Sequence, residues 1–222
     1  MNSAIQIMVL VEGQTEKTFI KSLLSPYLAD LTDQNIFLIP TLAGKQGGDV
    51  RFSRYQKDIG HHLKQRPDTY ITLMVDFYGI RNDWPGFKEA KQQSMHSKKA
   101  AIMNQETEKR IQELFPEQNH RFIPYVSMHE IEALYFSDPA SIANIMNINE
   151  KRIESILEDC DGPEAINDSP KTSPSKRLEE LSPTFKKIST GIAIAEAVGI
   201  KRMREQCPLF NEWICKIECV GH

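Results

Sequence analysis

The chain has 222 residues, 40% hydrophobic and 26% charged, with a net charge of −3 and a pI near 6.1. Those numbers fit an ordinary globular protein with a substantial core, and they give no global basic signature of a nucleic-acid binder. No stretch approaches 18 apolar residues and no basic-then-apolar leader opens the chain, so a cytoplasmic protein with no membrane contact is expected.

In chain order, the apolar run IQIMVLV at 5–11 predicts a strand buried on both faces, as in a parallel sheet covered by helices. Glu12 ends that strand. Gly13 is expected to let the chain turn tightly off it, and Phe19, Ile20, Leu23, Leu24 and Leu28 then recur at helical spacing. A second strand is predicted at 36–40, followed by the glycine-rich loop LAGKQGGDV and a helix through 51–65. YITLMVDF at 70–77 predicts a third strand, again closing on an acid, Asp76, before the loop GIRNDWPG. Helical stretches fill 86–114, FIPYVS at 122–127 predicts a fourth strand, and HEIEALYF opens a helical segment directly after it.

Strands alternating with helices of this length predict an α/β fold, an open and mostly parallel sheet flanked by helices. Beyond residue 138 the pattern becomes short helices and turn-rich loops, with Ser173 or Ser175 as a cap and Pro174 in a first helical turn. An α/β core at 1–137 and a helical C-terminal extension packed on it at 138–222 follow. The four cysteines, Cys160, Cys207, Cys215 and Cys219, match no compact zinc pattern and read as reduced thiols.

In an open α/β sheet, sites gather at the C-terminal ends of the strands. Glu12, Asp76, and the pair Glu130 and Glu132 all fall there. Converging carboxylates repel one another unless protonated or neutralised, and Mg2+ or Mn2+ would neutralise them with hard oxygen ligands. Two such ions could activate water and stabilise a phosphodiester leaving group. Acids also stand at strand ends simply because the chain is leaving the core. The loop GKQGG does not match the phosphate loop of nucleotide-binding proteins; its glycines and Lys45 could meet a substrate phosphate, or the stretch is simply a flexible surface loop. Lys176 and Arg177 form a modest basic cluster for the same task, or a solvated face. His129-Glu130 begins an HExxH pattern, but Ala133 breaks it. Tyr78 and Trp84, near Asp76, could stack on a base or pack the loop.

The stretches VEGQTE at 11–16, VDFYG at 75–79, HEIEALYFSD at 129–138, DGPE and SPSKRL within 161–178, and CPLFNEW at 207–213 resemble DUF4276, a bacterial family labelled a domain of unknown function. That family is regarded as similar to the Toprim fold of topoisomerases, primases and overcoming-lysogenization-defect nucleases. Its members are similar to proteins found near ATPase genes, some in phage-defence settings. The resemblance implies a catalytic Glu at Glu12, a further Glu in the first helix at Glu16, and an Asp-x-Asp whose first acid is Asp76. Tyr78 stands where the second Asp belongs, so Asp83, Glu130 or Glu132 would complete the set.

The expectation is therefore a metal-dependent nuclease. Glu12, Asp76 and Glu130 would be direct ligands and catalytic groups, with Glu16, Asp83 and Glu132 as supporting metal ligands, and Lys45, Lys176 and Arg177 would hold a DNA or RNA substrate. The alternatives are a non-catalytic interaction subunit of a partner ATPase, or a module that binds nucleic acid without cutting it.

Overall fold

The computed structural model describes residues 4–31, 35–45, 47–166 and 172–220. Strand β1 (Ile5–Val11) pairs in parallel on one side with β2 (Ile36–Leu42) and on the other with β3 (Thr69–Asp76). Two short pieces, β4 (Phe122–Ile123) and β5 (Val126–Ser127), add to the far side of β3, also in parallel. The expected open parallel sheet is thus present, in the order β2-β1-β3-β4 with β5 also on β3.

The unbroken apolar run of β1 has a simple cause. Ile7, Val9 and Val11 enter one core cluster while Met8 and Leu10 enter the other, so both faces of the strand are covered. One face packs against α3 (Phe52–Gln65), α4 (Phe87–Ala90) and α5 (His96–Leu114). The other packs against α1 (Gln14–Phe19), a π-helical segment Ile20–Leu24, and α2 (Ser25–Leu31). That second cluster also takes in Ile142, Leu178, Ile194, Phe210 and Trp213 from the part of the chain beyond residue 138. These come from α6 (Pro139–Met146), α8 (Pro174–Leu181), α9 (Ser189–Val198) and α11 (Pro208–Glu218). The remaining helices are α7 (Lys151–Glu158) and α10 (Ile200–Gln206).

Two differences from the sequence reading have physical reasons. The predicted strand at 122–127 is interrupted, because Pro124 offers no N–H to the ladder and the Val126 N–H turns instead to Asn104 Oδ1, 2.9 Å away. The helical segment after it is a 3-10 turn, Ile131–Ser137, all seven residues of which are buried. By contrast, Ser173 does precede α8 as its cap residue with Pro174 in the first turn. Pro40 is tolerated in β2 because that strand lies at the sheet edge. The four cysteines are free thiols. Among the described residues no helix is long and apolar enough to cross a membrane.

Trp213 fastens the last helix to the sheet. Its ring stacks on Tyr125 with centroids 4.4 Å apart and planes 7° off parallel. Its Nε1–H donates to Thr72 Oγ1 at 2.8 Å, and that hydroxyl donates in turn to the Ile123 carbonyl at 2.8 Å. Replacing Trp213 with Phe keeps most of the stacking and removes the indole donor. A loss of about 1 kcal/mol in urea denaturation is expected, since Thr72 keeps its bond to Ile123.

Candidate active site

The parallel register sets Val11 beside Met74, so β1 and β3 release their next residues on the same edge of the sheet. Glu12 follows β1, and Asp76 closes β3. Gly79 marks where they meet. A Cβ added to Gly79 would lie 2.9 Å from Glu12 Oε2 and 3.5 Å from Asp76 Oδ1. The two carboxylates therefore face a common point that only a glycine leaves open. Asp76 is fixed there by its own turn, accepting the Gly79 N–H at 2.6 Å and the Tyr78 N–H as well.

The glycine-rich loop holds Glu12 from the other side. The Gly48 N–H donates to the Glu12 carbonyl at 3.0 Å, and a Cβ on Gly47 would fall 2.2 Å from that same oxygen. Gly47 also has φ +73°, so it is required twice over. Arg54 and Asp58 of α3 grip the loop at Gly44, donating to its carbonyl at 2.8 Å and accepting its N–H at 2.7 Å. The loop expected to meet a phosphate thus clamps the backbone of an acid. The Lys45 side chain, proposed to bind substrate, lies outside the described residues.

Gly13 differs from expectation. Its backbone is extended (φ −141°, ψ −175°), a conformation open to any residue, so no special turn demands glycine. What it provides is room. The Glu16 carboxylate folds back to accept the Gly13 N–H at 3.0 Å, the same distance at which a Gly13 Cβ would meet it. Glu16 thereby caps α1 next to Glu12.

Glu130 and Glu132 arrive from beyond β5 and meet a cation that the sequence reading missed. Lys187, in the turn between α8 and α9, reaches Glu130 Oε1 at 3.1 Å and Glu132 Oε1 at 3.7 Å. Glu130 Oε2 also accepts the Ser175 N–H at 3.0 Å, at the start of α8. Nothing in LSPTFKKIST sets Lys187 apart from Lys186, because the pairing depends on a loop fold that no local motif specifies.

The electrostatics divide these acids into two groups. Loss of water contact, then the charge of Asp76, pushes the Glu12 carboxyl up to about 7. Burial also raises Asp76 and Glu16. Glu132, with 2% of its side chain exposed, is raised by burial to about 7 even though Lys187 opposes the shift. Burial would raise Glu130 too, but Ser175 and Lys187 together outweigh it and hold that carboxyl below its ordinary value. Glu130 is therefore a satisfied anion, while Glu12 and Asp76 repel each other and, among the described residues, neither is in an ion pair.

The remaining predicted residues sit as follows. Both oxygens of Asp83 accept backbone N–H groups at the start of α3, from Phe52 at 3.2 Å and Ser53 at 3.1 Å. Asp83 thus caps a helix from a distant loop. Trp84 is buried and donates to Thr107 Oγ1 at 2.8 Å, which makes it part of the core and unavailable for stacking on a base. Lys176 is exposed on α8, and Arg177 Nε donates back to the Thr172 carbonyl at 3.1 Å.

Among the described residues, no three His, Cys, Asp or Glu side chains lie close enough to hold one metal ion together. Mg2+ needs fewer, since it keeps several waters and is held by one or two carboxylates plus substrate phosphates. The pair Glu12 and Asp76, hard oxygen donors facing one gap, fits that demand.

The family model described as "Domain of unknown function (DUF4276)" matches residues 11–218. The chain belongs to the DUF4276 family. No curated protein and no solved structure matches it. In this DUF4276 protein the distant sequence stretches noted above are physically joined. Glu164 of DGPE accepts the Leu209 and Phe210 N–H groups of CPLFNEW at 2.9 and 2.8 Å, capping α11. His129 of HEIE donates from Nε2 to the Glu164 carbonyl at 2.6 Å. Ser175 of SPSKRL meets Glu130 as described.

Proposed function

We propose that this protein hydrolyses phosphodiester bonds in nucleic acid with Mg2+ or Mn2+, as a resemblance of its family to Toprim nucleases would imply. One observation carries the proposal: Glu12 and Asp76 leave adjacent parallel strands to face a shared gap at Gly79, and burial with mutual repulsion raises both carboxyls against the weaker pull of Lys187. A cation bound by these two would neutralise them and lower the pKa of water beside a scissile phosphate.

The other residues support that pair. Glu16 and Gly13 fix the turn that aims Glu12, and the Gly47–Gly48 backbone fixes its carbonyl. Tyr78 and Gly79 hold Asp76 through their N–H groups. Lys187 cancels much of the charge on Glu130 and Glu132, which would otherwise repel a polyanionic substrate. Asp83 serves the fold and has no part in this chemistry.

Metal binding should depend on pH. Glu12 must lose its proton to bind, and with its carboxyl held at about 7 the apparent affinity should fall about tenfold for each unit of pH below that value. Isothermal titration with Mn2+ at pH 6 and pH 8, in buffers of different ionisation enthalpy, reads both the affinity and the proton released. Equal affinity at the two pH values, with no proton release, would remove Glu12 from the ligand set. The function itself is tested by cleavage of DNA and RNA across divalent metals, alongside Glu12→Gln and Asp76→Asn. Folded protein that neither binds metal nor cleaves any substrate would favour the non-catalytic subunit instead.

A further inference from the structure

The acid pair is one side of a surface whose other features point to the form of the nucleic acid. Tyr78 is 40% exposed although Phe77 beside it is buried, and its own N–H binds the Asp76 carboxylate. The ring is braced from behind: it stacks on buried His129 at 6.0 Å with planes 22° apart, and it meets the edge of Phe77 at 5.7 Å. His129 is anchored by the Glu164 carbonyl and packed at 4.9 Å by His96. A ring supported this way keeps its orientation while leaving surface open to a planar ligand.

Two further apolar side chains are exposed next in sequence to residues already named. Met95, 53% exposed, precedes His96, and Ile188, 49% exposed, follows Lys187. Cations are few. Lys99 lies over the Phe77 ring, 5.8 Å from its centroid, and Lys187 is engaged with two glutamates. Arg177 bonds back to its own segment. A base inside a duplex is stacked on its neighbours and flips out only at a cost, whereas an unpaired base can offer a face to an aromatic side chain. The exposed Tyr78 ring beside Asp76 suits the unpaired base.

We propose that Tyr78 is a stacking platform for an unpaired nucleobase beside the cleaved phosphodiester, so that the substrate is single-stranded nucleic acid or a frayed end. This rests on the hydrolase function proposed above, and it makes Tyr78, at the place of the expected second Asp, a substrate-binding residue.

The test measures binding apart from cleavage. Fluorescence anisotropy with labelled 15-nucleotide single strands and the matching duplex is read in Ca2+ for wild type, Tyr78→Ala, Tyr78→Phe and Tyr78→Trp. Wild type should favour the single strand, and Tyr78→Ala should weaken single-strand binding by about tenfold or more while leaving duplex binding unchanged. Tyr78→Phe and Tyr78→Trp should retain the preference, and emission of the introduced Trp should be quenched by the bound strand. Equal affinity for single strand and duplex in wild type, or no effect of Tyr78→Ala, overturns the platform; the second result is also what a protein-contact role for Tyr78 would give. Cleavage that is abolished by Glu12→Gln yet blind to strandedness would leave the hydrolase standing and the platform rejected. Failure to bind any strand, with no Glu12-dependent cleavage, would reject both.

Discussion

Glu12→Gln is expected to lower hydrolysis by more than about 100-fold, beyond what loss of an outer-shell partner causes at metal sites, while making the folded protein more stable at pH 8. The two effects share one cause. The carboxyl of Glu12 sits at about 7 in the folded protein against an ordinary 4.5. Between those values the unfolded chain gives up its proton first, so stability falls as pH rises through that window, and the full penalty stands above pH 7. Glutamine keeps the size of the side chain and removes the penalty. Melting temperature should therefore rise by about 2 °C or more at pH 8, an amount kept small by the partial solvent access of Glu12, and should match wild type near pH 4.5. Added Mg2+ should stabilise wild type at pH 8 and leave the variant unmoved. Loss of activity accompanied by a lower melting temperature at pH 8 would point to a structural role for Glu12 and against the repelling pair.

Lys187→Met should be the most destabilising single change at the site. It strips the cation from Glu132, whose side chain is only 2% exposed, and from Glu130. Breaking a buried pair costs about 3–5 kcal/mol; because Lys187 is 42% exposed, a loss of up to about 3 kcal/mol is expected. The sign of the pH dependence identifies the cause. Without Lys187 the Glu132 carboxyl moves further above about 7, so the penalty is largest at pH 8 and higher and shrinks as the pH falls and the group takes up a proton. Urea denaturation at pH 6 and pH 8 measures this, and Glu132→Gln in the Lys187→Met background should recover most of the difference. An equal loss at both pH values would mean that Lys187 acts through packing of its stem alone.

Much of this was legible in the residues. The apolar runs of β1 and β3, at 7–11 and 73–75, identified the parallel sheet, because strands covered on both faces carry apolar residues at successive positions. Strand ends then located Glu12 and Asp76 on one edge. What escaped was set by tertiary contacts. Asp83 looked like a candidate ligand, yet its partners are N–H groups 30 and 31 residues away in sequence. Gly13 looked like a turn, whereas its absent side chain makes space for Glu16. Lys187 carries no local signal because Glu130 is 57 residues distant. Pro124 was visible, but only the competing acceptor on Asn104 explains how the strand breaks around it.

The cluster that joins Ile7 and Val9 to Phe210, Trp213 and Ile217 also sets a timetable for synthesis. The first strand leaves the ribosome about 200 residues before the helix that covers it, a wait of roughly 10–40 s at ordinary translation speeds. During that time one face of β1 lacks its final cover, and the turn bearing Lys187 has no completed cluster to close upon. Glu130 and Glu132 therefore wait for their cation until the turn at Lys187 has emerged, 57 residues after Glu130.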